Sequence, residues 1–294
     1  MTAEVSEPLA PKRSRSRAVV AFLRNPVGLA GLVLLVVIAA GGLVAPVAYD
    51  GDPFAMVAQP FLWPGQDAAY PLGTDSLGRD VAAGILHGAR VSLTVGIAAT
   101  LIGVTIGVVV GAIAGYFGGR IDDALVRLIQ IFHTMPSFVL LVVLVAIAQP
   151  SMLVVTFAIG LLSWPTLARL VRSEFRSLKQ KDFVIAARSV GQGHARIIIR
   201  EILPNALPPI IVASSVMVAS SILTESALSF MGLGDPNVVS WGSMIGSGRE
   251  FLRTAWFLTA LPGLGIVVTV LALNLVGDGL NDALNPRLTR AEPT

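Results

Sequence analysis

The chain has 294 residues, of which 54% are hydrophobic and 13% charged. A soluble domain is usually about a quarter charged, so lipid is the expected main solvent. There is no cysteine, which excludes disulfides, thiolate metal sites and cysteine nucleophiles. The 21 basic residues outnumber the 18 acidic ones, but they are sorted by loop, which points to a membrane and away from nucleic acid.

In chain order, residues 1–24 read as a basic tail carrying Lys12, Arg13, Arg15, Arg17 and Arg24, with 1–17 flexible. The following apolar run, 27–48 within a first transmembrane unit of 25–48, is longer than a signal-peptide core. Its Pro46-Val47-Ala48 exit is a poor cleavage site, so the helix is expected to be retained. Crossing a ~30 Å hydrocarbon core takes ~20 apolar residues in a helix. Five further runs meet that length, at 91–117, 125–148, 152–172, 207–232 and 256–280, giving an all-α polytopic protein of six transmembrane helices with a core over 91–280. Gln149-Pro150-Ser151 is the short turn between the third and fourth spans, and Gly103, Gly107 and Gly111 form a GxxxGxxxG seam expected to pack within the subunit.

All of the basic residues except Arg79, Arg90, Arg249 and Arg253 fall on one side of this arrangement. The positive-inside rule then places both termini, including the tail 281–294, in the cytoplasm. The outer segments are 49–90 and 233–255, and the long basic inner segment is 173–206. Within the first outer segment the Gly73-Thr74-Asp75 turn predicts a short helix from Ser76 onward. A polar inner loop as long as 173–206 is expected to have something to dock on.

Catalytic and nucleotide-binding signatures are missing. The lysines are Lys12, Lys179 and Lys181, and none follows a glycine, so there is no phosphate loop. His87, His133 and His194 lie far apart, which argues against a histidine metal site; His133 near Pro136 reads as a packed residue at a helix kink. Glu225 is the one clear ionisable residue deep in a span, either lining a pathway or locking helices together, with the structural role favoured. Paired midplane carboxylates and inverted repeats, which would mark an ion-coupled carrier, are not seen.

The inner loop supplies a family resemblance. Ala186, Ala187, Gly191, Leu203 and Pro204 fall in register with the EAA loop of binding-protein-dependent ABC importer permeases. Ile185 stands where that loop carries glutamate, and Glu201 where it carries isoleucine. Residues 182–190 can form a short helix broken at Gly191-Gln192-Gly193, and 194–202 a second helix ended by Pro204. Three more stretches are similar to C-type permeases of oligopeptide and dipeptide importers. They are the run Pro71 to Asp80, holding Gly73, Thr74, Asp75, Gly78, Arg79 and Asp80; Glu225 to Gly234, holding Ser229 and followed by Ser240-Trp241-Gly242; and Asn274 to Pro286, holding Asp278.

The resemblance implies a type I ABC importer permease (MetI-like) fold in a bacterial inner membrane. It implies that the chain is not itself an enzyme and holds no cofactor or metal. A homologous second permease would complete the pathway, ABC ATPase subunits would bind ATP and Mg, and an extracytoplasmic binding protein would deliver peptide. The loop residues Ile185, Ala186, Ala187, Arg188, Gly191, Leu203 and Pro204 would meet the ATPase, and Glu225, Ser229, Asn274 and Asp278 are candidates for intramembrane or pathway roles. Asp75, Arg79 and Asp80 would stabilise the outer turn or meet the binding protein. Asp278 and Asp282 would pair with inner arginines. Nickel, glutathione or antimicrobial peptides are alternative substrates, and an ion-coupled secondary carrier is the alternative from another class.

Overall fold

A computed structural model describes residues 15–49 and 52–284. Helix α1 (Arg15–Arg24) leads through Asn25 into α2 (Pro26–Ala48). Pro26 suits the first helical position, and the Asn25 side chain accepts hydrogen bonds from the N–H groups of Val27 and Gly28. The remainder of the tail expected over 1–24, and the chain beyond 284, lie outside the described residues.

Helices α3 (Val81–Phe117), α4 (Gly119–Thr134), α5 (Ser137–Ala148) and α6 (Met152–Leu178) follow. After them come α7 (Asp182–Ser189) and α8 (His194–Arg196), the latter running through a π-helical stretch, Ile197–Ile202, into α9 (Leu203–Phe230). The chain closes with α10 (Trp241–Gly248) and α11 (Phe257–Leu284). Among the described residues, five helical stretches are each long and apolar enough to cross a membrane, and α4 with α5 meets the same test as a broken sixth.

The third span is therefore not the single helix expected over 125–148. Its two halves meet at 81°. Pro136 has no N–H for the ladder, and its ring drives Met135 out of the helical region to φ −83°, ψ 136°. His133, read from sequence as a packed residue at this kink, is instead exposed.

No helix starts at Ser76; α3 starts at Val81, where Asp80 caps it by accepting the Ala82 N–H at 2.8 Å. Nor does Pro204 end the helix that begins at His194, which runs unbroken to Phe230. The ladder has already widened before the proline, with the Leu203 N–H bonding the Ile198 carbonyl, so the N–H that Pro204 lacks does not break the helix.

The core is built on the pairing of α3 with α6, and the glycine seam makes it close. A Cβ placed on Gly111 would lie 2.7 Å from Val171 Cβ, and one on Gly115 would lie 2.6 Å from Phe175 Cβ. Only a residue without Cβ permits that approach. The first span packs on the last in the same manner, where a Cβ on Gly28 would lie 3.0 Å from Gly279 Cα. There Asn25 Nδ2 donates to Asp282 at 3.0 Å; Arg287 and Arg290, among the arginines expected to pair with Asp282, lie outside the described residues.

Candidate functional site

The loop between α6 and α9 lies at the basic end of the bundle. Val184 and Ala187 turn inward from α7 onto Phe175, Ile197 and Ile202, all buried. This places Ala187 toward the chain's own core, whereas Ile185, Ala186 and Arg188 are exposed. Phe183, Ile185 (51% exposed) and Val190 (81% exposed) are apolar side chains turned outward on a loop otherwise rich in charge. The helix ends in a Schellman turn: the N–H of Gly191 bonds the Arg188 carbonyl at 2.9 Å and that of Gln192 bonds the Ala187 carbonyl at 3.1 Å. Gly191 has φ +79°, which explains the glycine, and a Cβ there would meet open space. Leu203 and Pro204 belong to the first turn of α9, continuous with α8.

Beneath this loop, Asp122 of α4 accepts from Nε and, at 2.8 Å, from Nη2 of Arg172, a bidentate pair that ties α4 to α6. Lys179, just past α6, is pulled below its usual range by burial and by nearby Arg176.

Further along the bundle a groove of about 370 Å³ opens between α5, α6 and α9. Hydroxyls of Ser163, Thr166, Ser220 and Thr224 line it together with apolar Phe138 and Val216, and no lining residue is ionisable. Sequence reading missed this groove. The i, i+3 pair Ser163/Thr166 and the i, i+4 pair Ser220/Thr224 were available as polar stripes on apolar helices, but nothing in the sequence says that the two stripes face each other.

Glu225 and Ser229 lie apart from the groove, in the core. Glu225 is 3% exposed and accepts hydrogen bonds from Ser229 at 2.7 Å and from Ser92 of α3 at 3.2 Å, with Ser226 at 3.5 Å. Asn274 and Asp278 are exposed on α11, on the stripe that also carries Leu264, Val267 and Leu271. The structure therefore does not bring the four intramembrane candidates together.

The segment between α2 and α3, described over residues 52–80, folds back on itself around its motif. Asp75 Oδ1 accepts the N–H groups of Leu77 and Arg79 at 2.8 and 2.9 Å. Buried Thr74 accepts from the Leu62 N–H and donates to the Gln59 carbonyl. Gly73 and Gly78 both have φ +78°. Arg79 stacks over the Phe54 ring at 5.0 Å. Burial raises Asp80 above the usual carboxylate range, against bonds from the Ala82 and Ala83 N–H groups that lower it.

Comparison with known proteins places this architecture. Residues 107–290 match the family model described as binding-protein-dependent transport system inner membrane component. The di/tripeptide transport system permease protein DppC of Pseudomonas aeruginosa is 38% identical over 276 residues, covering 92% of this chain and 91% of that protein. The oligopeptide transport system permease protein OppC of Escherichia coli K12 is 40% identical over 271 residues, covering 90% and 89%. A solved structure of the MetNI methionine ABC transporter in an inward-facing conformation matches with a TM-score of 0.56 at 17% identity, covering 69% of this chain and 96% of that one. An amino acid ABC transporter matches at 0.52 and 17% identity, covering 67% and 92%. At such identities these two show the shared fold alone. The chain belongs to the family of binding-protein-dependent transport system inner membrane components, the membrane-spanning permease subunits of ABC importers.

Proposed function

We propose that the chain is one of two permease subunits of an ATP-driven peptide importer in a bacterial inner membrane, with both termini in the cytoplasm. The observation that carries this reading is the likeness to oligopeptide and di/tripeptide permeases along nine-tenths of the chain. The basic end, with its short α7 and outward Phe183, Ile185 and Val190, supplies a surface for an ATPase subunit that binds ATP and Mg. Ile185 makes that contact apolar where the related loops carry a glutamate. A second, homologous permease would close the hydroxyl-lined groove into a pathway, and an external binding protein would load peptide from the side of residues 52–80. A groove without charge suits peptides, whose side chains vary in sign while the backbone is constant. Hydroxyls can serve the backbone amides without selecting by charge. Transport is then a shift between two conformations that bind nucleotide and binding protein with different affinity.

Purification from membranes tests this: the chain is expected to bring with it a second permease and ATPase subunits. A chain that comes out alone and moves peptide without ATP would overturn the reading.

A further inference from the structure

Tyr116, next to last in α3, is 5% exposed and joins three neighbours at the basic end. Its hydroxyl lies 2.8 Å from Nδ1 of His194, the first residue of α8. The Arg188 guanidinium of α7 stacks over its ring at 5.3 Å from the centroid. Its backbone carbonyl accepts from Lys179 Nζ, just past α6, at 3.3 Å. One side chain at the end of α3 therefore holds both helical pieces of the loop, on either side of the Gly191 turn. Phe117 adds an edge-on contact to the His194 ring at 5.9 Å.

The surroundings make this a joint. On the turn side the loop is unsupported, since a Cβ on either Gly191 or Gly193 would meet nothing within 4 Å. Inward, α7 leans on the core through Val184 and Ala187 alone among its buried residues. Below Tyr116, α3 is seated on α6 along the glycine seam, so the two helices move together. A displacement of α7 and α8 is passed to that pair where Tyr116 grips both.

We propose that Tyr116, with His194 and Arg188, is the joint that delivers movement of the α7–α8 loop to the α3–α6 pair. They are positioning residues, and the proposal rests on the reading of the loop as the ATPase-facing surface. The Tyr116 hydroxyl donates when the His194 Nδ1 is unprotonated and accepts when Nδ1 carries the proton, so either imidazole tautomer makes the bond.

The test uses the whole importer in proteoliposomes, with second permease, ATPases and binding protein. Tyr116→Phe removes the hydroxyl but keeps the ring under Arg188, and His194→Ala removes the hydroxyl's partner. Both are expected to keep ATPase subunits bound while peptide uptake per ATP hydrolysed falls about fivefold, the factor one net hydrogen bond gives a two-state equilibrium. His194→Gln, whose amide can accept or donate the same bond, is expected to restore much of the ratio. Wild-type uptake per ATP in both variants would overturn the proposal. So would loss of ATPase association in Tyr116→Phe, which would mark an ordinary folding role. Failure of the unmutated chain to bind ATPase subunits would instead strike the proposed function itself.

Discussion

Asp235, in the loop after α9, accepts a hydrogen bond at 2.9 Å from the backbone N–H of Met152, the first residue of α6. A carboxylate from one interhelical loop thus caps a long apolar helix that starts in another. It also binds the Asn237 N–H at 2.9 Å, which fixes its own loop. Burial raises the Asp235 pKa, but the bonds from Met152 and Asn237 outweigh it and hold the carboxyl below its usual value.

A folded-state pKa below the unfolded one means stability that is present above the unfolded value, about 3.9, and lost as the pH falls through the folded one. In detergent, Asp235→Asn is therefore expected to unfold at a lower temperature than wild type at pH 7, with the gap closing below about pH 4. A gap independent of pH would show that the ionised carboxylate is not what stabilises this corner.

The glycine seam predicts a packing failure. Gly111→Val puts side-chain atoms where Val171 Cβ and the Arg172 N–H already stand, 2.7 and 3.1 Å from an added Cβ. Overpacking of this kind costs about 1–3 kcal/mol. Gly191→Ala, by contrast, meets no neighbour and costs only the ~1 kcal/mol of its left-handed backbone. Thermal unfolding of the purified complex should rank Gly111→Val well below Gly191→Ala.

Glu225 separates a locking role from a pathway role. Glu225→Leu leaves the Ser92 and Ser229 hydroxyls without their acceptor, at about 1–3 kcal/mol for each buried orphan. It should lower the amount of assembled complex in membranes. Glu225→Gln keeps an acceptor oxygen and should give normal assembly and normal uptake per complex. Normal assembly of Glu225→Gln with uptake abolished would place the carboxylate in the pathway.

At the loop, Gly191→Asp adds charge and left-handed strain at a turn facing open space. It is expected to uncouple transport in membrane vesicles, with ATP-dependent uptake falling while the chain remains inserted. Wild-type uptake by this variant would remove the turn from the coupling surface.

The membrane class, the spans and the short helix from Asp182 were legible because each rests on local pattern: apolar run length, helical period, and glycine at a positive φ. The misses were tertiary. Pro136 was visible in the sequence, but a proline only marks where a helix can break and does not set the 81° bend, and the Asp122–Arg172 tie between α4 and α6 joins residues far apart in the chain. Pro204 looked like a helix stop, and the widened turns before it let the helix continue. Of the EAA-like residues, Ala186 is exposed and Ala187 buried, because a step of about 100° along the helix carries the chain from the outer face to the face that Val184 also lays on the core. The contact of His194 with Tyr116 joins residues 78 positions apart, a distance that local pattern does not bridge.

The most direct test of the central claim is peptide uptake by proteoliposomes reconstituted with this chain, a second permease, the ATPases and a binding protein. The account predicts uptake that requires ATP and every component, and that stops when this chain is omitted. Uptake by this chain alone, driven by an ion gradient with no ATP present, would contradict it.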